Sequence, residues 1–320
     1  MEQEHDLPEQ FEPADRPAAG REPVGAYHRR ELGTPAGEHA LAKIAELVRA
    51  ASAGRPGGEH PSLWLFRRVL EGELPGGTSR VWPDQRGGLR AAALVLQGGV
   101  LVFAVRAGAD GEQAAGEVVA WALEYAAEVR TQASSWDDER RALLERLGFV
   151  ADGRGAVRMA RDPTGGAPPA APPSGFRLRP VRTRELAGYL ELFRAAFGDG
   201  PSAEARRRLR RNREYRRDLD LVAVAPDGRL AGFCLCFVYG EDNAALGRRD
   251  GWVEQMGTHP DLRRRGLGRA LLRAGLRALR RRGVDAVYLE TGQENEPARA
   301  LYASEGFHEA GAALWYVRRR

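Results

Sequence analysis

The stretch Glu254–Leu272, with the sequence EQMGTHPDLRRRGLGRALL, constrains the chain most. Its first residues read as a strand, a compact loop with two glycines follows, and a leucine-rich amphipathic run reads as a helix. Gly266 and Gly268 let backbone come close to a ligand because they carry no Cβ. The first N–H groups of a helix have no partner within it, and the helix dipole adds partial positive charge there. Such a start seats an anion of the diphosphate kind. Arg263, Arg264, Arg265 and Arg269 surround the seat with permanent positive charge.

Elements can be placed around this loop by period and punctuation. Phe176–Val181 alternates as a first strand, and Thr183 is expected to cap a helix with Leu186, Leu190, Phe193 and Phe197 on one face. A basic helix is expected over Ala203–Arg217, then strands at Asp220–Ala225 and Leu230–Tyr239 joined through the turn at 226–228. A strand at Gly251–Thr258 leads into the glycine loop and a helix reaching Arg282. Val284–Thr291 is a further strand, Pro297 opens a short helix ending at Gly306, and Ala312–Val317 is the last strand. The order is β-α-α-β-β-β-α-β-α-β. The first half reads as a blurred copy, with helices at Gly37–Ser52, His60–Leu70, Gly111–Glu128 and Trp136–Leu147, and strands near Arg80, at Leu89–Leu96 and at Gly99–Val105. Its Gly148-Phe149 follows a short helix as Gly306-Phe307 does, 158 positions on, so a duplicated domain is expected.

A length of 320 residues suits two domains. Residues 1–26 lack hydrophobic periodicity and are expected to be a disordered tail, with a first domain over 27–163, a proline- and alanine-rich linker at 164–174, and a second domain over 175–320. No apolar run is long enough for a membrane span and the acidic start is not a secretory signal, so a cytoplasmic chain with no membrane partner is expected. Lys43 is the single lysine among 49 basic residues, and a net charge of +5 argues only weakly for nucleic acid. The arginine run Arg206–Arg217 reads as a solvated helix face, with nucleic-acid binding kept as the lesser alternative. Cys234 and Cys236 read as small buried hydrophobes, with neither a disulfide nor a metal site expected.

The segment Arg263–Gly268 carries Arg-x-x-Gly-x-Gly, flanked by Thr258-His259-Pro260 before it and by Asn295, Ala300-Leu301-Tyr302 and Gly306-Phe307 after it. In this the region from Phe176 to Arg320 resembles the GNAT superfamily of N-acetyltransferases. The presence of two copies resembles the architecture of mycothiol synthase relatives. The resemblance implies an α/β (α+β) fold class: two tandem GNAT folds, each a mixed, mostly antiparallel sheet with a parallel pair splayed at the acyl-CoA site. It implies acetyl-CoA as cosubstrate, no metal, and a primary amine acceptor, read here as a small molecule. Met256 and Thr258 would pair with the pantetheine arm through backbone groups. Arg263–Arg269, with Leu267 inside the motif, would hold the pyrophosphate, and Asn295 would hydrogen-bond the cosubstrate. Tyr302 would protonate the departing thiolate. Glu254 is the candidate base, expected to share a strand face with Met256 two residues on. A non-catalytic acyl-CoA sensor is the alternative.

In the first copy, Asn295 corresponds to Asp137 and Tyr302 to Leu144, and the loop falls near Arg106–Glu112 with Asp110 and Glu112 in it. Carboxylates there repel a diphosphate and leucine donates no proton, so this copy is expected to be non-catalytic.

Overall fold

A computed structural model describes residues 35–53, 63–70, 74, 76–163, 165–166 and 168–320. The expected disordered tail and the start of the helix expected from His60 lie outside the described residues, as do positions 164 and 167 of the expected linker. The chain divides into two compact units. The first runs through Arg154 and takes Leu314–Arg320 as well, and the second holds Gly155–Ala313. The division therefore runs through two strands rather than through the 164–174 stretch expected as the linker.

In the first unit, helices α1 (Pro35–Ala51) and α2 (Leu63–Leu70) precede the antiparallel strands β1 (Thr78–Pro83), β2 (Leu89–Val95) and β3 (Leu101–Val105). Helix α3 (Ala109–Tyr125), strand β4 (Glu128–Ser134), helix α4 (Asp138–Arg146) and strand β5 (Val150–Arg161) follow. The strand periods of β4 and β5 are absent from the sequence reading. β4 alternates, burying Val129, Thr131 and Ala133, whereas β5 opens on Ala151-Asp-Gly-Arg-Gly155, which looks like a turn. Leu101, Val118, Trp121, Val129, Leu144 and Phe149 form the core, joined by Tyr316 from the chain end. Arg319 Nε pairs with Glu128 Oε2 at 2.8 Å, and the Arg320 amide donates to the Ala127 carbonyl.

The second unit contains β6 (Arg177–Pro180), α5 (Leu186–Phe197), α6 (Ala203–Arg211), β7 (Asp220–Val224), β8 (Leu230–Phe237), α7 (Gly240–Leu246), β9 (Asp250–Thr258), α8 (Leu267–Arg281), β10 (Ala286–Gly292), α9 (Glu296–Ser304) and β11 (His308–Arg319). Its sheet runs β5-β10-β9-β8-β7-β6, antiparallel except at β10–β9. The short helix α7 is an addition to the expected order.

Burial explains α8. Leu267, Leu271, Leu272, Leu276 and Leu279 lie on one face and are fully buried against Cys234, Cys236 and Val253 of the sheet. Each leucine contributes about 1.5–3 kcal/mol by leaving water. Gly275 is required by this packing, since a Cβ there would stand 2.9 Å from Cys236 Sγ. The two cysteines are free and buried, as expected, with sulfurs 3.7 Å apart. On the other face, Phe233 stacks on Phe193 at 5.2 Å, with Tyr189 beside them, and so fixes α5.

Thr183 does not cap α5. A 3-10 turn at Thr183–Glu185 precedes the helix, Glu185 accepts from the Arg182 amide at 2.8 Å, and the Thr183 hydroxyl accepts from Arg210. The basic helix is shorter than expected and ends at Arg211. Among the described residues no helix is long and apolar enough to cross a membrane.

The duplication is visible element by element. Helices α3 and α8 open at Ala109 and Leu267, α4 and α9 at Asp138 and Glu296, and β5 and β11 at Val150 and His308. Each pair is 158 positions apart (267 − 109, 296 − 138, 308 − 150). Asp137 caps α4 by accepting from the Arg140 amide, and Asn295 caps α9 by accepting from the Ala298 amide.

Candidate active site

The second unit's site begins where two parallel strands stop pairing. β9 and β10 are in register from Asp250–Ala286 to Val253–Leu289. β9 then continues to Thr258 and β10 to Gly292 without further pairing between them. β9 stays paired with β8, and β10 with β5. The strands therefore part, and the backbone groups of the 254–258 segment facing β10 have no pairing partner on that strand.

A bulge sits at this fork. Leu235 pairs with Gln255, but Cys236 pairs with Val253, so Glu254 is the extra residue on β9. The insertion interrupts the simple alternation on which the shared face of Glu254 and Met256 is expected. Met256 stands opposite Cys234 and Val253 opposite Cys236, so these two take the α8 face. A bulge adds one residue and shifts the period-two pattern, which leaves no signature in composition.

The helix start lies beside the fork. Gly266 is the N-cap of α8, with φ 83°, a left-handed conformation that demands glycine. Gly268 is different: a Cβ there would meet only Leu301 at 3.5 Å and Thr258 Oγ1 at 3.8 Å, ordinary contacts. Packing within the chain does not require glycine at 268. Those contacts also show that Thr258, the start of α8 and α9 converge. Leu267 turns its side chain into the core, so only its amide is available at the loop.

The four loop arginines divide into two pairs. Arg263 donates to the carbonyls of Thr258 and Ala196, at 3.4 and 3.2 Å. Arg269 donates to Ser304 Oγ at 3.2 Å and lies 3.6 Å from buried Glu305, which Arg273 also grips at 2.8 and 2.9 Å. Arg264 and Arg265 are exposed and make no hydrogen bond or ion pair with the described residues. Arg264 is also the non-glycine residue, among those described, held at positive φ, 61°. Strain of that kind gathers at ligand-binding loops. The ring of four expected from the sequence is thus two unengaged guanidinium groups on a loop braced by the other two.

Tyr302 lies in the core cluster with Cys234 and Leu271, against which Met256 packs, and is 7% exposed. Its phenol is pushed well above the ordinary tyrosine range by burial first and by proximity to Cys234 second. Asn295 is exposed, and its Oδ1 is already engaged in capping α9 at 3.3 Å.

Arg206 is the largest departure from the sequence reading of the arginine run. It is 3% exposed, pairs with fully buried Asp220 and lies over the Tyr189 ring at 4.0 Å. The Tyr215 hydroxyl donates to the same Asp220 oxygen at 2.6 Å. Burial pushes the Asp220 carboxyl up, against the pull of Arg206. Arg207 and Arg208 pair with Glu204, and Arg217 donates to the Val181 carbonyl. Much of the run's charge is spent within the unit, which weakens the nucleic-acid alternative. The partner that turns Arg206 inward is 14 residues away, beyond the reach of helical periodicity.

A second group missed by the sequence reading lies across the fork. Arg158 of β5 stands opposite Glu290 of β10 and donates to it at 2.9 and 2.6 Å. Tyr288 and Trp252, their rings 5.5 Å apart, lie next to this pair. The 158-residue offset, carried through β11, would have located β5 and hence Arg158.

In the first unit the corresponding parallel contact is reduced to one bridge, Val100–Arg130. Gly108 caps α3 as Gly266 caps α8, but Asp110 and Glu112 occupy the first turn and engage Arg90 and Arg146. Leu144, at Tyr302's counterpart position, is fully buried.

Comparison with known proteins agrees with this geometry. Residues 186–307 match the acetyltransferase (GNAT) family. A mycothiol acetyltransferase of Clavibacter michiganensis subsp. michiganensis is 33% identical over 188 residues, 55% of this chain and 55% of that protein. The chain thus spans about half the length of the curated relatives it matches. A tandem GNAT protein from the clavulanic acid biosynthesis pathway superposes with TM-score 0.70 at 15% identity, over 92% of this chain and 97% of that one. A GCN5-related N-acetyltransferase from Sphaerobacter thermophilus gives 0.66 at 22% identity, over 88% and 93%. Residues 186–307 thus match the acetyltransferase (GNAT) family, within a chain whose fold is similar to that of a tandem GNAT protein.

Proposed function

We propose that the second unit transfers an acetyl group from acetyl-CoA to the primary amine of a small molecule, by direct attack while both are bound. The observation that carries this is the parting of β9 from β10 beside a helix start with a left-handed glycine cap, an open position at Gly268 and two unengaged arginines. The mycothiol acetyltransferase relatives support an acetyl donor and a small acceptor.

In this reading the amides of 267–269, with Arg264 and Arg265, hold the pyrophosphate, and Arg263 and Arg269 brace the loop. The backbone of Met256 and Thr258 pairs with the pantetheine arm, and the amide near Met256 steadies the carbonyl oxygen as it gains charge. Asn295 fixes the start of α9 and offers its remaining amide group to the cosubstrate. Glu254 takes the proton of the ammonium, directly or through a water. The amine nitrogen then bonds to the carbonyl carbon, the carbon–sulfur bond breaks, Tyr302 gives its phenolic proton to the thiolate, and the extra proton lost by the new amide nitrogen restores the phenol. Burial keeps the phenol protonated until the thiolate forms beside it. The first unit, with carboxylates at its helix start and Leu144 in place of a tyrosine, does not catalyse.

The test is calorimetric titration of the full chain with acetyl-CoA, followed by turnover with a panel of glucosamine, tyramine, putrescine and lysinamide. One acetyl-CoA bound per chain and acetylation of at least one amine are expected. Tight binding without turnover of any amine would favour a non-catalytic sensor, and no binding at all would remove both readings.

A further inference from the structure

The last paired residues of the fork are Val253 and Leu289, and the next residue on each strand is a glutamate: Glu254 on β9 and Glu290 on β10. Two carboxylates therefore flank the opening of the strands. Their surroundings differ. Glu290 stands directly across the antiparallel β5–β10 ladder from Arg158. Both of its hydrogen bonds from Arg158, from Nε and Nη2, end on one oxygen, Oε1. The other oxygen, Oε2, makes no hydrogen bond to the described residues, and the Glu290 side chain is 21% exposed against 4% for Arg158. Arg158 in turn lies over Trp252, whose ring neighbours Tyr288. A buried arginine fixed in this way holds its partner carboxylate in place.

On the reading of this unit as an amine acetyltransferase, we infer that Glu290 is a positioning residue for the acceptor. Its Oε2 accepts an N–H of the incoming ammonium and holds the nitrogen at the fork, while Glu254 removes the proton. Arg158 acts through Glu290 by orienting it, and the half-buried Tyr288, backed by Trp252, lies beside the bound group. The acceptor this arrangement takes is a compact primary ammonium whose carbon skeleton can lie against an aromatic face. Glu290 does no proton transfer, so its loss weakens amine binding more than it slows the chemical step.

The experiment uses the full chain and the best acceptor among glucosamine, tyramine, putrescine and lysinamide. Glu290→Gln keeps the shape and removes the charge. It is expected to raise KM for the amine about tenfold, the scale of one hydrogen bond to a charged group. The value of kcat and the dissociation constant for acetyl-CoA should stay within about threefold, inside the scatter of such effects. Glu290→Asp, which keeps the charge, should recover part of the KM change. The double variant Arg158→Met with Glu290→Leu replaces the ion pair by apolar side chains and should keep the thermal midpoint near that of the parent while KM stays raised. An unchanged KM in Glu290→Gln would overturn the inference and leave acetyl transfer intact. So would a KM change that tracks loss of thermal stability and reverts in the stable double variant. A parent chain that binds acetyl-CoA and acetylates none of the amines would instead overturn the acetyl-transfer reading, and this inference with it.

Discussion

Two helix starts, Gly108–Glu112 and Gly266–Ala270, show how one scaffold is kept while its chemistry diverges. Both are glycine caps, both open a long helix at the same repeat position, and both precede a strand and a short capped helix. The first fills its first turn with Asp110 and Glu112, which are themselves ion-paired. The second has Gly268 and Arg269 there, with Arg264 and Arg265 exposed before them. In the first unit the parallel strands touch at one bridge, whereas in the second they pair over four residues and then part. Where the cores are compared, Leu144 and Tyr302 occupy one position in two closely packed interiors. Packing has been preserved in both copies, and the features fit for an anion and a proton donor in one.

The comparison can be broken most directly at Tyr302. Tyr302→Phe keeps the ring and removes the proton, and should lower kcat by about 10²–10⁴-fold, the span of general acid catalysis. Leu144→Tyr should confer no activity on the first unit and should destabilise it, because the core has no room prepared for a hydroxyl. Steady-state rates and chemical denaturation of both variants check this. Next in size, Gly268→Asp transplants the first unit's carboxylate into the second helix start. Repulsion of the pyrophosphate should weaken acetyl-CoA binding about 100-fold by calorimetry, an effect of a few kcal/mol at close range. The Asp110→Gly variant should not create a second binding event.

A smaller effect is expected at alkaline pH. Burial raises the phenols of Tyr189, Tyr215 and Tyr302 above the ordinary value, so each contributes stability that is intact below about pH 10, where the unfolded tyrosines are neutral. That stability is lost as pH rises toward the folded values, since only the unfolded chain ionises readily. Hydrogen exchange should show the second unit loosening first, and Tyr302→Phe should flatten the decline. The smallest difference lies at the caps. Asp137→Ala and Asn295→Ala should each cost about 1 kcal/mol, the typical worth of an N-cap. Asn295→Ala alone should also weaken acetyl-CoA binding.

Much of the second unit was legible because its periods are strong and its loop has unusual chemistry. The leucines of α8 recur at helical spacing, and Pro297 and Asn295 mark the start of α9. Individual loop residues were less legible. Nothing local in the sequence says that Arg263 and Arg269 are tied down by carbonyls and by Glu305 while Arg264 and Arg265 are not. The bulge at Glu254 depends on how β8 lies against β9, and a strand read alone shows only alternation. Arg206 was read as solvated because its partner, Asp220, belongs to another element. Strands β4 and β5 were the recoverable omissions, since the 158-residue repeat places them opposite β10 and β11.

The assignment of Leu314–Arg320 to the first unit has a consequence for biosynthesis. A ribosome makes the chain from its N-terminus, yet Tyr316, Arg319 and Arg320 complete contacts with residues made some two hundred positions earlier. Until those last residues emerge, the nascent first unit has a gap beside Glu128 and Leu123 and depends on the remainder of synthesis to close it. Removing Leu314–Arg320 should therefore harm the first unit, whose other residues precede them by far in sequence.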